Sequence, residues 1–253
     1  MNTLKDALVW SCGGGTQSAA IAALIIRGEI PKPDLSFIVD TGREKSGTWE
    51  YLEGVIVPAL EAIGVTLHRV SKEQYATVDL YAGNGDLLLP VFTDQEGRLS
   101  KMPPFCSDKW KQRVGRRWLR EQGVQSCRLM LGMSLDETRR TKKSDVDWIV
   151  NVYPLVDLWV RRADCLRIVR EMGWPPPPRS ACWMCPNMSN REWREMRQDY
   201  PEDWENALAM ERQIRARDPH VYLHLSGVPL EEADLSVEAS GDPGGCESGL
   251  CFV

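Results

Sequence analysis

Apolar residues along the chain fall in short blocks, separated by polar, glycine-rich or proline-rich breaks. Residues 7–11, 35–39, 65–70, 127–131 and 148–152 are compact apolar runs bounded by turn formers, which predicts five buried strands. Between them, residues 17–28, 48–63, 109–122 and 162–172 carry apolar positions at helical spacing. Pro58 should kink or break the second of these helices. Alternating strands and helices predict an α/β fold: a Rossmann-like open, mainly parallel five-stranded sheet with helices on both faces. Residues 71–104, with Gly83-Asn84-Gly85 and Pro103-Pro104, read as an irregular insertion over the site, a lid or short hairpin. The run Pro175-Pro176-Pro177-Pro178 is a stiff spacer. It separates an expected nucleotide-binding domain, 1–175, from a C-terminal extension, 176–253. That extension is helical over 190–217, broken near Pro201, and bears cysteines.

The break after the first strand carries the most chemistry. Ser11-Cys12-Gly13-Gly14-Gly15-Thr16-Gln17-Ser18 reads as strand, tight turn, helix. Glycines allow positive φ and close approach of a ligand. The free N–H groups of a helix start favour an anion there. A ligand-free glycine turn is the plain alternative. Asp40 ends the second strand, and in open parallel sheets ligands gather outside the C-terminal strand ends. It is therefore expected near the ligand, or as a cap of the next helix. Arg139 and Arg140 follow the fourth strand, and guanidinium forks suit phosphates.

Composition narrows the class. The 253 residues suit one sizeable α/β domain with an appendage, and 43% apolar content is enough for a core. The apolar runs are far shorter than a membrane span and no signal peptide opens the chain, so a cytoplasmic protein is expected. Eight cysteines argue for metal or redox chemistry over a disulfide framework. The net charge of −5 hides an asymmetry. Residues 106–143 hold eleven Lys or Arg against four Asp or Glu, while 231–253 hold six acidic residues and no basic one. The basic stretch is a polyanion surface or a solvated helix face.

Four segments resemble the PP-loop ATPases and phosphoadenosine phosphosulfate (PAPS) reductases, in that family's order. Gly13 to Ser18 fall on the pyrophosphate loop Ser-Gly-Gly-x-Asp-Ser, with Gly13 for Ser and Gln17 for Asp. Phe37 to Glu44 are similar to its Phe-x-Asp-Thr-Gly segment, including Asp40, Thr41 and Gly42. Gly132 to Arg140, starting Gly132-Met133, and Tyr153 to Trp159 match two further motifs. Together they cover roughly residues 5 to 190. The resemblance implies an adenine nucleotide alpha hydrolase-like fold and ATP with Mg2+ as ligand. It implies Ser11, Gly13, Gly14, Gly15, Thr16, Gln17, Ser18, Asp40, Thr41, Gly42, Gly132 and Met133 as nucleotide-binding residues, and Lys111, Arg139 and Arg140 as catalytic cations. It also suggests a divergent, phage-like or mobile-element branch.

Cys182 and Cys185 form a Cys-x-x-Cys turn, the spacing of two thiolates on one metal or cluster edge. In iron-sulfur members of the family a Cys-Cys pair lies far upstream. Here Cys106 matches its first cysteine, Ser107 replaces the second, and Lys111 matches its lysine. That implies Cys106, Cys182 and Cys185 as ligands, with Cys246 or Cys251 as a fourth or an open position, for a [4Fe–4S] cluster or zinc. Cys12, Cys127 and Cys165 sit in apolar settings and read as packing residues. The tail Glu247-Ser248-Gly249-Leu250-Cys251 is similar to the reductases' Glu-Cys-Gly-Leu-His, with Ser248 in place of the nucleophile. Serine is a poor substitute for a thiolate, which leaves Cys251 as the alternative catalytic thiol.

Three functions are expected on these grounds. The first is an enzyme acting at the α-phosphate of ATP, adenylating and thiolating a nucleic-acid or small-molecule acceptor. The second is a PAPS or adenylyl-sulfate reductase with a thioredoxin-like reductant. The third is a non-catalytic nucleotide-binding accessory of a phage, CRISPR or DNA-modification system.

Overall fold

The computed structural model describes residues 3–95 and 97–236. Five parallel strands form the central sheet in the order β3-β2-β1-β6-β7. They are β1 (Ala7–Ser11), β2 (Leu35–Asp40), β3 (Leu67–Ser71), β6 (Cys127–Leu131) and β7 (Ile149–Val152). The mostly apolar, buried β1, β2 and β6 fit parallel strands covered on both faces, while the edge strand β3 is half exposed. β1 lies in the middle, registered Trp10 to Ser36 on one side and Trp10 to Met130 on the other. The chain winds from β1 towards β3, then returns to the other side of β1 with β6. That reversal opens a crevice at the C-terminal ends of β1 and β6.

Helix α1 (Thr16–Ile26) leaves the glycine loop and is buried from Thr16 to Ile25. A helix apolar all round needs cover on all sides. One side rests on the sheet and another on α7 (Arg162–Glu171). The helix expected over 48–63 starts earlier, as α2 (Ser46–Tyr51), passes through a π turn at Leu52–Ile56, and continues as α3 (Val57–Glu61). The wider turn just before Pro58 takes up the kink, and Pro58 sits in the first turn of α3, where its missing N–H is harmless. A short α4 (Lys72–Tyr75) follows β3. The basic helix likewise begins as a π turn, Asp108–Gln112, before α5 (Arg113–Glu121). Gly115 lets α5 lie against the sheet, since a Cβ there would stand 2.8 Å from the Phe37 ring. After β7 comes the short α6 (Pro154–Asp157).

A second core stands beside this domain. Leu80, Leu87, Leu88, Leu89, Val91 and Trp110 pack with Met184, Met188, Trp193, Trp204 and Leu208. Residues 80–110 thus share one core with the C-terminal helices α8 (Asn190–Asp199) and α9 (Pro201–Arg217). The insertion supplies β4 (Phe92–Thr93) and β5 (Ser100–Lys101), an antiparallel hairpin completed by β8 (Val221–Tyr222). Polar bonds join the two units. The Asp203 carboxylate, in the first turn of α9, accepts from Ser46 N (2.7 Å) and Ser46 Oγ (2.9 Å). Lys45 N donates to Ala181 O (3.1 Å) and Trp183 N to Arg43 O (2.9 Å). No helix among the described residues is long and apolar enough to cross a membrane.

Candidate nucleotide and cysteine site

The glycine loop is shaped by close contacts. Gly14 has φ +74°, and a Cβ on it would meet Thr48 Cγ2 at 2.8 Å. A Cβ on Gly15 would stand 3.3 Å from Ser180 N, so the loop lies directly under the chain that carries the Cys-x-x-Cys turn. Ser18 Oγ accepts from Gly13 N (2.8 Å) and closes the turn on itself. Gln17 donates from Nε2 to Glu137 Oε2 (2.7 Å) and accepts from Arg162 at Oε1 (3.4 Å). Gly13, Gly15, Gln17, Ser18 and Gly132 wall a small recess of about 10 Å³.

Beside it, a cavity of about 350 Å³ opens at the strand ends, between the sheet and α5. That falls in the ~300–1,000 Å³ range of small-molecule sites. Its floor is apolar, from Phe37, Val39, Leu129 and Ile149, and Ser11, Cys12, Gly13 and Met133 lie at one end. Cations gather around it: Lys111, Arg116, Arg140, Lys142 and Lys143. Burial pushes the Cys12 thiol up to about 11, so it is a neutral wall. An apolar slot with a basic rim suits a flat base at one end and phosphates at the other.

The expected residues divide. Ser11, Gly13, Met133, Lys111 and Arg140 line the cavity. Gly15, Gln17, Ser18 and Gly132 line the adjoining recess, while Gly14 and the buried Thr16 support the loop from behind. Asp40 is not in the cavity wall, because both its carboxylate oxygens are engaged. Oδ2 accepts from Arg69 Nε and Oδ1 from Gly42 N (2.8 and 2.7 Å). Gly42 lines an open hollow with Arg43, Lys72 and Asp79 instead. In that hollow, Arg43 and Lys72 hold the Asp79 carboxyl down to about 2. Thr41 turns to the cysteines, with Oγ1 3.7 Å from Cys182 Sγ. Arg140 pairs with Glu137, whereas Arg139 is exposed and outside the cavity wall.

The cysteines do converge. Cys106, Cys182 and Cys185 line one cavity of about 50 Å³, together with Ser107, Lys111, Arg179 and Asn187. All three are free thiols. Burial, then the neighbouring Cys185, pushes Cys106 up to about 12, and burial with Glu44 drives Cys182 well above the ordinary thiol range. Metal or cluster binding would reverse this by stabilising the thiolates. Among the described residues no three Cys, His, Asp or Glu side chains stand as one metal ion would need. Ser107 Oγ is buried there with no hydrogen-bond partner among the described residues, as a side chain facing an added group would be. Cys246, Ser248 and Cys251 lie outside the described residues.

Lys111 belongs to both cavities. Its Nζ lies 2.9 Å from Glu44 Oε1, and Glu44 is 6% exposed. Burial works against the ammonium charge, but Glu44 and Cys182 outweigh it, and the Lys111 pKa is raised. Glu44 was legible only as a member of the Asp-Thr-Gly segment; its ion pair with Lys111 spans a separation no local pattern reveals. Lys45, its pKa lowered by burial against the pull of Glu192, and Arg179, 2.5 Å from Glu192, are further cations here that the sequence did not single out.

No family model matches the chain, and no curated protein matches it. Among solved structures the chain is similar to the U34-tRNA thiolase NcsA from Methanococcus maripaludis with its [4Fe–4S] cluster. The two are 12% identical with a TM-score of 0.46, over 92% of this chain and 75% of that one.

Proposed function

We propose that the chain binds ATP with Mg2+, or a related adenine nucleotide, in the larger cavity and acts at its α-phosphate, adenylating an acceptor that then receives sulfur. One observation carries this reading: Lys111 walls both the phosphate-suited cavity and the three-cysteine cavity, which supports reading the two as one site.

In this reading the apolar floor takes the base, and the backbone of the Gly13–Gly15 turn with Ser18 takes phosphate oxygens. Lys111 and Arg140 offset charge as pyrophosphate leaves, the electrostatic part of such a transfer. Gln17 lacks the carboxylate of the family's loop and positions Glu137 and Arg162 instead of a cation.

Cys106, Cys182 and Cys185 would hold three corners of a [4Fe–4S] cluster, which supplies electrons or a place for sulfur when bound. That the described residues hold no three ligands placed for one metal ion favours it over zinc. Tetrahedral zinc at about 2.3 Å from each sulfur needs sulfurs roughly 3.8 Å apart. A cluster takes its thiolates at separate corners. Cys246 as a fourth ligand and Cys251 as a reacting thiol belong to the same proposal.

Purified anaerobically and given ATP with Mg2+, the protein should release pyrophosphate and AMP, and Ser18→Ala should do so at least tenfold more slowly. Sulfite release from PAPS with a thioredoxin-like reductant would support the reductase reading instead. Tight ATP binding with neither product, across nucleic-acid and small acceptors, would support a non-catalytic accessory.

A further inference from the structure

At the same end of the sheet, the short helix α6 closes in a Schellman turn. Trp159 N donates to Val156 O (3.0 Å) and Val160 N to Leu155 O (2.8 Å). The turn needs one left-handed residue, a place usually filled by glycine. Here it is Trp159, at φ +58°. A bulky residue in that conformation is an outlier that invites a functional reading. Packing does not account for it: Trp159 is 78% exposed, its neighbour Leu158 is 44% exposed, and its ring makes no aromatic or cation–π contact among the described residues.

Three arginines lie on this segment and on the turn bonded to it. Leu135 N donates to Val160 O (2.8 Å), which binds the turn bearing Arg139 to the segment bearing Trp159. Arg161 and Arg162 follow directly, and Arg162 reaches Gln17 of the glycine loop (3.4 Å). The nearby carboxylates Asp136 and Asp164 accept from the backbone N–H groups of Arg162 and Arg161 (2.6 and 3.0 Å). Arg139 and Arg161 are exposed and have no ion pair among the described residues. An unpacked indole on a segment with exposed arginines that have no ion pair among the described residues suits a base with its phosphates. Stacking on an aromatic face together with backbone charge is how single strands are held.

We infer that this edge binds a single-stranded nucleic acid, one base stacked on Trp159 and the adjoining phosphates on Arg139 and Arg161. Resting on the proposed function, it makes the acceptor a nucleic acid, delivered past Arg162 to the glycine loop. A duplex keeps its bases stacked inside and offers the indole only an end.

The test is anisotropy of a short fluorescein-labelled single-stranded oligonucleotide, against the same sequence as a duplex, over a salt series. The wild type should bind the single strand more tightly. Trp159→Gly, which removes the indole and suits the left-handed turn, should weaken binding about tenfold or more, the worth of one stacked base. Its thermal midpoint should stay level or rise. Trp159→Phe should retain most of the affinity. Arg139→Ala and Arg161→Ala should each lower the slope of log K against log salt by about one. Equal binding by Trp159→Gly and wild type, or no preference for the single strand, overturns the inference; a protein partner would then be the better use of the patch. Mg·ATP binding by the wild type, measured apart, decides the nucleotide reading, so the two fail separately.

Discussion

Lys111 and Glu44 are the residues on which the site turns. Glu44 is buried, and its Oε2 has no hydrogen-bond partner among the described residues. Removing its paired cation, Lys111, should be expensive. Lys111→Met is expected to cost about 3–5 kcal/mol, the range for leaving a buried charge unpaired. Lys111→Met/Glu44→Gln should regain most of that in urea unfolding, yet stay defective in pyrophosphate release. Equal activity of the double variant and wild type would remove Lys111 from the chemistry. Gly14 gives a second test at this scale. Alanine there meets both a left-handed backbone (φ +74°) and Thr48 at 2.8 Å. Gly14→Ala should lose about 1–3 kcal/mol and weaken ATP binding, measured by calorimetry.

At the scale of elements, the extension is fastened by buried polar groups. His224 is 2% exposed, with Nε2 2.7 Å from Asn190 Oδ1 and Nδ1 2.6 Å from Ser226 Oγ. Burial lowers its pKa below the ordinary 6.5. The unfolded chain then takes up the proton first as pH falls. Stability from the neutral ring is complete above about pH 6.5 and is lost progressively below it, towards the folded pKa. Urea midpoints should therefore fall between about pH 7 and 5 in the wild type. They should fall less in His224→Gln; an equal fall in both would place the dependence elsewhere. At the other joint, Asp203→Ala removes both bonds to Ser46 and should cost about 1–3 kcal/mol, read from the urea midpoint. Elements were legible where apolar runs were compact: β6 is Cys127–Leu131, as its sequence reads. The two π turns were not, because one wide turn barely alters side-chain spacing. Leu87-Leu88-Leu89 have no period to read, so their place in a second core shows only in three dimensions.

Across the whole molecule, the parallel sheet brings the glycine turn, α5 and the Cys-x-x-Cys turn to one end. The spacing of Cys106 from Cys182 and Cys185 in sequence concealed nothing, since the family resemblance groups them. Asp40 and Thr41 are harder: the strand end is plain in the sequence, but Arg69 and Cys182, which decide where their side chains go, come from distant segments. The central claim is that nucleotide and cysteines share one site through Lys111. Its most direct measurement is the electron paramagnetic resonance spectrum of anaerobically purified, dithionite-reduced protein, titrated with Mg·ATP. The account predicts an iron-sulfur signal whose line shape changes as ATP saturates. Iron-free protein that still binds ATP, or a signal indifferent to ATP, would contradict it.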